Sequence, residues 1–360
     1  MDLEARVELI KRGTKEIVTE KELQHLLETT ESPKAYWGFE ISGPIHLGMG
    51  LVCGKKIRDC VEAGVDFTIY LADLHSMINR KFGGDLQKIR RAGEYFIHSF
   101  EALGLGTDKV RFLWASDLAQ DYGYWERVMQ VARNASVRRI ARALPIMGRE
   151  TTSEDVEMAF LLYPCMQVAD ILEMNLDIAC AGIDQRNAHM LARDVAKKIG
   201  VKKPVSLHGP LLMSLAKTGA KMGFDEDPSL SAEISKKMSK SLPQSTIHIH
   251  DSPSEIREKI TGAFCPPRET DENPIVQIAR HVVIPELGAL EVDRPPKHGG
   301  PLTIGSYREL VDAYSGGALH PLDLKRAVAE SLTKILEPVR RYFEKNPEPL
   351  RMMRSLEVTR

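Results

Sequence analysis

Long apolar runs, paired cysteines and a surplus of charge of either sign are all missing from this chain of 360 residues. No stretch approaches the roughly 18 consecutive apolar residues that a membrane-spanning helix needs. The charged, amphipathic opening MDLEARVELIKRGTKEI holds no apolar signal-peptide segment. Both absences lead to the expectation of a cytoplasmic protein with no membrane contact. The five cysteines (Cys53, Cys60, Cys165, Cys180 and Cys265) make no CxxC pair and fall inside apolar runs, as buried thiols of a reducing compartment do. Lys and Arg number 49 against 50 Asp and Glu. Overall charge therefore gives no sign of polyanion binding, and any nucleic-acid surface must be a local patch. His248 and His250 would share one side of a strand, but no third ligand stands near them, so no metal site is expected.

What is present is an ordinary globular composition, 43% hydrophobic and 28% charged, at a length that suggests two domains. Residues 1–30 read as a helical cap. Strand character at 35–40, 66–72 and 110–114 alternates with helical patterns from Leu47 to Gly64 and over 86–103. This alternation predicts an α/β fold, a Rossmann-like, doubly wound parallel sheet. From 121 to 175 the pattern turns helical, with arginines from Arg133 to Arg149, as a helical insertion would. A strand at 179–182, a helix over 187–199 and a strand near 205–207 complete the catalytic-domain pattern of 31–236. Residues 215–236 are polar and read as a surface excursion. A loop and link, 237–246, leads to a mainly helical domain over 247–345, with helices near 253–262, 272–283, 306–314 and 321–342. The tail, 346–360, is expected to be loosely held, as is the stretch from 343. There are no internal repeats.

Three groups of residues carry chemistry. His46 stands at the head of a helix, where a ring N–H and free amides favour an anion; Gly43 and Gly48 let a bulky nucleotide approach the backbone. Taken alone, the same residues fit an ordinary glycine-rich turn. Lys237-Met238-Ser239-Lys240-Ser241 offers two cations and two hydroxyls to a triphosphate, or else a solvated basic loop. Tyr163, Gln167 and Asp170 fall at i, i+4 and i+7 on one helical face. Met166, Val168 and Ile171 lie between them, so the three polar groups need either internal partners or a ligand. Past the strand at 179–182, Asp184 could accept from a ribose hydroxyl or serve as a plain turn aspartate. His75 and His189 read as structural or peripheral.

In this order, His-Leu-Gly-Met at 46–49, Lys-Met-Ser-Lys-Ser at 237–241 and the polar face around Asp170 resemble the archaeal-type tyrosyl-tRNA synthetases, class I enzymes, over nearly the full length. The resemblance implies a Rossmann-like catalytic domain with a helical insertion, a C-terminal anticodon-binding domain and a homodimer. It implies tyrosine–tRNA ligation from L-tyrosine, ATP with Mg²⁺, and tRNA(Tyr). His46, Lys237 and Lys240 would act on the phosphates; Gly43, Gly48, Asp184, Met238, Ser239 and Ser241 would complete the ATP site. Asp170 and Tyr36 would take the substrate phenol, and Tyr163, Gln167 and Gln185 the α-amino end. Arg186, assisted by Arg142, would meet the acceptor stem; Asp323 would read the first anticodon base and His298 would stack there. A tryptophan-specific relative and a non-catalytic RNA-binding paralogue are the competing readings. Met49 departs from the first motif by supplying no second polar group, and the run 215–236 is longer than the resemblance implies.

Overall fold

The computed structural model of the chain describes residues 1–144, 157–216, 234–238 and 243–356. Six strands form its main sheet: β1 (Glu16–Val18), β2 (Lys34–Phe39), β3 (Asp66–Leu71), β4 (Arg111–Trp114), β5 (Ile178–Gly182) and β6 (Val205–Gly209). Their order is β1-β6-β5-β2-β3-β4, parallel except for β1, which runs antiparallel to β6 with Glu16 opposite His208. The helices of this part are α1 (Leu3–Lys11), α2 (Glu20–Thr29), α3 (Gly54–Glu62), α4 (Asp73–Ile78), α5 (Leu86–Ala102), α6 (Ala115–Leu118), α7 (Tyr122–Asn134), α8 (Val137–Ala141), α9 (Met158–Glu173) and α10 (Arg186–Ile199). The expected Rossmann-like parallel sheet with a helical insertion is what forms. Local chemistry sets the helix starts: Asp2 caps α1, and Thr19 with Glu22 closes a capping box on α2.

Residues 1–30 are not purely helical. Between α1 and α2, Glu16-Ile17-Val18 adds β1 to the sheet edge, a strand too short to show any periodicity.

Side-chain alternation along β2 separates two cores. Ala35, Trp37 and Phe39 face a cluster with Leu23, Phe96 and Phe100 that continues into the C-terminal helices through Ile249, Ile256 and Leu332. Tyr36 faces the other way, among Tyr70, Tyr124, Val168, Ile171 and Leu191. This second cluster is roofed by the insertion, where α9 packs on α7 and α10.

The C-terminal part is mainly helical, with Pro253–Gly262 packed on Pro321–Ile335. It also holds an unexpected antiparallel hairpin, β7 (Leu290–Val292) with β8 (Leu302–Ile304). The tail differs from expectation. Glu337–Lys345 and Pro347–Ser355 are both helical, and the latter packs on α5. Phe343 stacks on Tyr95 with ring centroids 5.7 Å apart, the Tyr342 hydroxyl donates to Glu101 Oε2 over 2.6 Å, and Met353 is buried. Apolar burial holds this segment where its terminal position suggested a loose end. Among the described residues no helix is long and apolar enough to cross a membrane.

Candidate active site

From the neighbours β2 and β5 the sheet extends outward in opposite directions, through β3 and β4 on one side and β6 on the other. The crevice outside the carboxyl ends of such a pair is where open α/β sheets bind ligands. The chain leaves β2 into the His46 loop and leaves β5 into the short turn Ile183–Gln185, so topology brings the first motif and Asp184 to the same crevice.

In the His46 loop, Gly43 has a φ of 142°, a conformation side-chain-bearing residues avoid. The Gly48 N–H donates to His46 Nδ1 over 3.1 Å. A neutral ring that accepts at Nδ1 carries its proton on Nε2, which makes that nitrogen a donor. A Cβ on Gly48 would lie 3.0 Å from the His46 ring, so glycine is what lets the imidazole fold over the loop. Met49, the departure in this motif, is partly buried against the main core.

Lys237 reaches the crevice from the other motif. Its Nζ donates to Asp184 Oδ2 over 2.7 Å. Burial opposes the ammonium charge, yet the charge and hydrogen bond of Asp184 outweigh it and raise the lysine pKa. A Cβ on Gly182 would meet Asp184 Oδ1 at 2.5 Å, so that glycine makes room for the carboxylate. Backbone pairing fixes the lysine: Met238 N donates to Leu212 O (2.6 Å) and Ser214 N to Lys236 O (2.8 Å), with Met238 buried. Ser239, Lys240 and Ser241, and most of 215–236, lie outside the described residues.

The polar face of α9 turns into the buried cluster on the insertion side of the sheet. Asp170, 1% exposed, accepts at Oδ1 from the hydroxyls of Tyr70 (2.7 Å) and Tyr124 (2.9 Å). Its Oδ2 lies 3.2 Å from His75 Nε2, yet neither nitrogen of that buried ring has a hydrogen-bond partner. His75 is therefore no peripheral histidine: it faces Asp170 and meets Tyr163 edge-on at 4.9 Å. Tyr36 lies in the same cluster, its ring 6.0 Å from that of Tyr70, with both Asp170 and Gln167 acting on its hydroxyl. Burial pushes the Tyr36 phenol well up, the Asp170 charge adds to this, and the Gln167 amide opposes it. Gln167 Nε2 donates to Gln185 Oε1 over 3.2 Å, while Gln167 Oε1 is buried without a partner. The sequence reading missed Tyr70 and Tyr124, and gave His75 only a structural or peripheral part. Register could have found Tyr70, which pairs with Gly38 two residues along β2 from Tyr36 and so shares its face; nothing local marks Tyr124.

The four residues expected to meet RNA stand on four different elements. Arg186 opens α10 beside the crevice and is paired with Glu16 of β1 (Nε to Oε2, 2.9 Å), which also meets His208 Nδ1 at 2.8 Å. Arg142 follows α8. His298 ends an exposed turn and Asp323 sits in the first turn of Pro321–Ile335, both in the C-terminal part.

The family model for class I tRNA synthetases (W and Y) matches residues 28–227 and 228–337, and the chain belongs to that class. A tyrosine–tRNA ligase of Aeropyrum pernix is 46% identical over 366 residues, covering 100% of this chain and 99% of its own. The structure of tyrosyl-tRNA synthetase complexed with L-tyrosine from Pyrococcus horikoshii superposes with a TM-score of 0.91 at 44% identity, covering 99% of this chain and 100% of that one. Within the class, the chain is an archaeal-type tyrosyl-tRNA synthetase by family. A tryptophanyl-tRNA synthetase from Aeropyrum pernix, 17% identical with a TM-score of 0.69 over 95% of this chain and 85% of its own, shares the fold alone.

Proposed function

We infer that the protein is a tyrosine–tRNA ligase that uses ATP to activate L-tyrosine and transfers it to tRNA(Tyr). The observation that carries this reading is Asp170. It is a buried carboxylate with two phenols and an imidazole about it, set beside the crevice that holds His46 and the Lys237–Asp184 pair. A carboxylate so placed accepts from a substrate phenol that phenylalanine lacks. Tyr36 closes the same end, and Gln167 Oε1, buried without a partner, accepts from the α-ammonium group with Tyr163 and Gln185 beside it.

In the first step an oxygen of the tyrosine carboxylate attacks the ATP α-phosphorus, the bond to the β-phosphate oxygen breaks, and pyrophosphate leaves. His46 Nε2, Lys237 and Lys240 stabilise the phosphate charge as it shifts, while Gly43 and Gly48 allow the nucleotide close to the backbone. Met238, Ser239 and Ser241 complete the lysine loop, and Asp184 accepts from the ribose. Catalysis is positioning and electrostatics, with no protein nucleophile. In the second step the 2′-hydroxyl of the terminal adenosine attacks the tyrosyl carbonyl carbon and AMP departs. Mg²⁺ belongs to this scheme as the ion of the ATP substrate. Among the described residues no cluster of three or more His, Cys, Asp or Glu side chains is arranged to hold an ion, so phosphate oxygens and water would supply its ligands.

For the RNA, Arg186 and Arg142 serve the acceptor end, and Asp323 and His298 the anticodon. For the homodimer, α7 offers an apolar stripe of Tyr122, Trp125 and Met129, exposed by 74%, 41% and 57% and spaced i, i+3, i+7 on one face. The testing experiment is tyrosine-dependent ATP–pyrophosphate exchange, run beside tryptophan and phenylalanine. Exchange with tyrosine is expected; exchange with tryptophan alone would overturn the pocket assignment.

A further inference from the structure

His248 and His250 stand in the segment that returns the lysine loop to the fold, and the mechanism above gives them no part. Their surroundings tie that segment to the first motif. Leu47 N donates to Ile247 O and Ile249 N donates to Ile45 O, each over 3.0 Å, with His46 and His248 as the antiparallel pair between them. The ladder is close: a Cβ on Gly50 would lie 2.5 Å from Ile249 Cγ2, so only glycine admits the segment there. Tyr95, fully buried, closes the end of the ladder. Its hydroxyl accepts from Ile45 N at 3.2 Å and lies 3.0 Å from His250 Nδ1. The hydroxyl has a second lone pair and a proton beyond the Ile45 contact, so it bonds His250 Nδ1 in either neutral tautomer of the ring. The His250 ring in turn stacks on His248 at 5.7 Å and 8°, and His248 N donates to Asp251 Oδ2 over 3.0 Å.

We propose that Tyr95 and His250 are positioning residues for adenylate formation: their hydrogen bond holds the His46 backbone in register with the segment that follows the lysine loop. Neither side chain touches substrate. What they set is the placement of one phosphate-binding motif relative to the anchor of the other, and small misplacements of such groups have large effects on rate. Burial and the adjacent His248 ring keep His250 neutral, its pKa pushed down to about 3, so no imidazolium charge is buried beside the Tyr95 hydroxyl. The inference rests on the ATP roles given to His46 and the lysine loop.

The test uses the full chain and compares Tyr95→Phe, His250→Leu, His250→Asn and the double variant Tyr95→Phe/His250→Leu. Tyr95→Phe keeps the ring that stacks on Phe343 and loses only the hydroxyl; Asn keeps a group near the place of Nδ1 that can donate or accept. Tyr95→Phe and His250→Leu are each expected to lower kcat/KM for ATP in pyrophosphate exchange by about tenfold or more, with the Kd for tyrosine, measured without ATP, unchanged within about twofold. The double variant is expected to be no worse than the poorer single one, since both remove the same bond, and His250→Asn is expected to recover most of the rate. Unchanged ATP kinetics in folded Tyr95→Phe and His250→Leu would overturn the proposal. So would additive losses in the double variant, or tyrosine binding that weakens as much as the ATP term. A wild-type protein with no tyrosine-dependent exchange would instead overturn the ligase reading beneath it.

Discussion

Lys237 of the lysine loop and Asp184 of the β5 turn are joined by a 2.7 Å ion pair, so two stretches far apart in sequence meet at the crevice beyond β5. Lys237→Ala is expected to lower the pyrophosphate-exchange rate by about 10²–10³-fold, the usual effect of removing one charge-stabilising donor. Tyrosine binding, measured by calorimetry without ATP, is expected to stay within about threefold. A matching loss of tyrosine affinity would move Lys237 out of the phosphate role.

The Asp170 pocket makes a second prediction. Tyr70→Phe and Tyr124→Phe each remove one hydrogen bond to Asp170 Oδ1 and free that oxygen, so the carboxylate loses its fixed orientation. Selectivity for tyrosine over phenylalanine, as the ratio of kcat/KM values, is expected to fall by about 10-fold in each variant, the equivalent of one net hydrogen bond. It should collapse in Asp170→Ala. The scale for that collapse is the known rejection of phenylalanine by tyrosine-selecting enzymes of this same activity, about 10⁵-fold. Retained selectivity in Asp170→Ala would place the phenol elsewhere.

Acid should loosen the ladder region. Burial and His248 hold His250 at about 3, below its ordinary 6.5. Burial works against ionised Asp251, but hydrogen bonds from His248 and Lys259 outweigh it and bring its pKa from 3.8 to about 2. Both folded values are depressed, so both contributions are complete above the ordinary values and are lost as pH falls towards the folded ones. The thermal midpoint is expected to be level from pH 8 to about 7 and to decline below about 6.5, with Asp251 adding to the decline below about 4. His250→Asn should flatten the upper part of that decline; an identical profile in this variant would remove His250 as a cause.

The thiols should be inert in the native state. Cys60 and Cys180 are buried to within 1%, burial pushes Cys165 up to about 11 and raises Cys53 further. Thiolate is the reactive form, so iodoacetamide at pH 8 is expected to leave these four unmodified for hours and to label them only after denaturation. Mass spectrometry of the intact protein reads the outcome; rapid native labelling at Cys165 would contradict its burial.

The α7 stripe predicts a dimer that one charge can split. Light scattering is expected to give twice the mass of the 40.3 kDa chain for the wild type and the single mass for Met129→Glu. A monomeric wild type would dispose of the stripe as an interface.

Where the chain alternates regularly, its sequence is easy to read. β2, β3 and α5 fall within a residue or two of the expected patterns, because the strands are mostly buried and apolar and α5 repeats its apolar face at helical spacing. β1 and the β7–β8 hairpin leave none, being three residues each. The site is legible where polar residues interrupt an apolar face, as Gln167 and Asp170 do on α9. It is not legible where a partner comes from another element: Tyr124 on α7 reads as one more core aromatic until folding sets its hydroxyl on Asp170. The tail reads as loose because it is a chain terminus, while Phe343 and Met353, ten residues apart, are buried and anchor it.

The antiparallel β1 also bears on how copies of this chain can meet. It covers what would have been the open side of β6, so the sheet ends in a strand of three residues on one side and in the four-residue β4, led by Arg111, on the other. Neither border presents a long flat row of unpaired amides, the template from which strand-by-strand stacking grows. Growth of copies strand upon strand from these two borders, which would propagate without end, is thereby disfavoured.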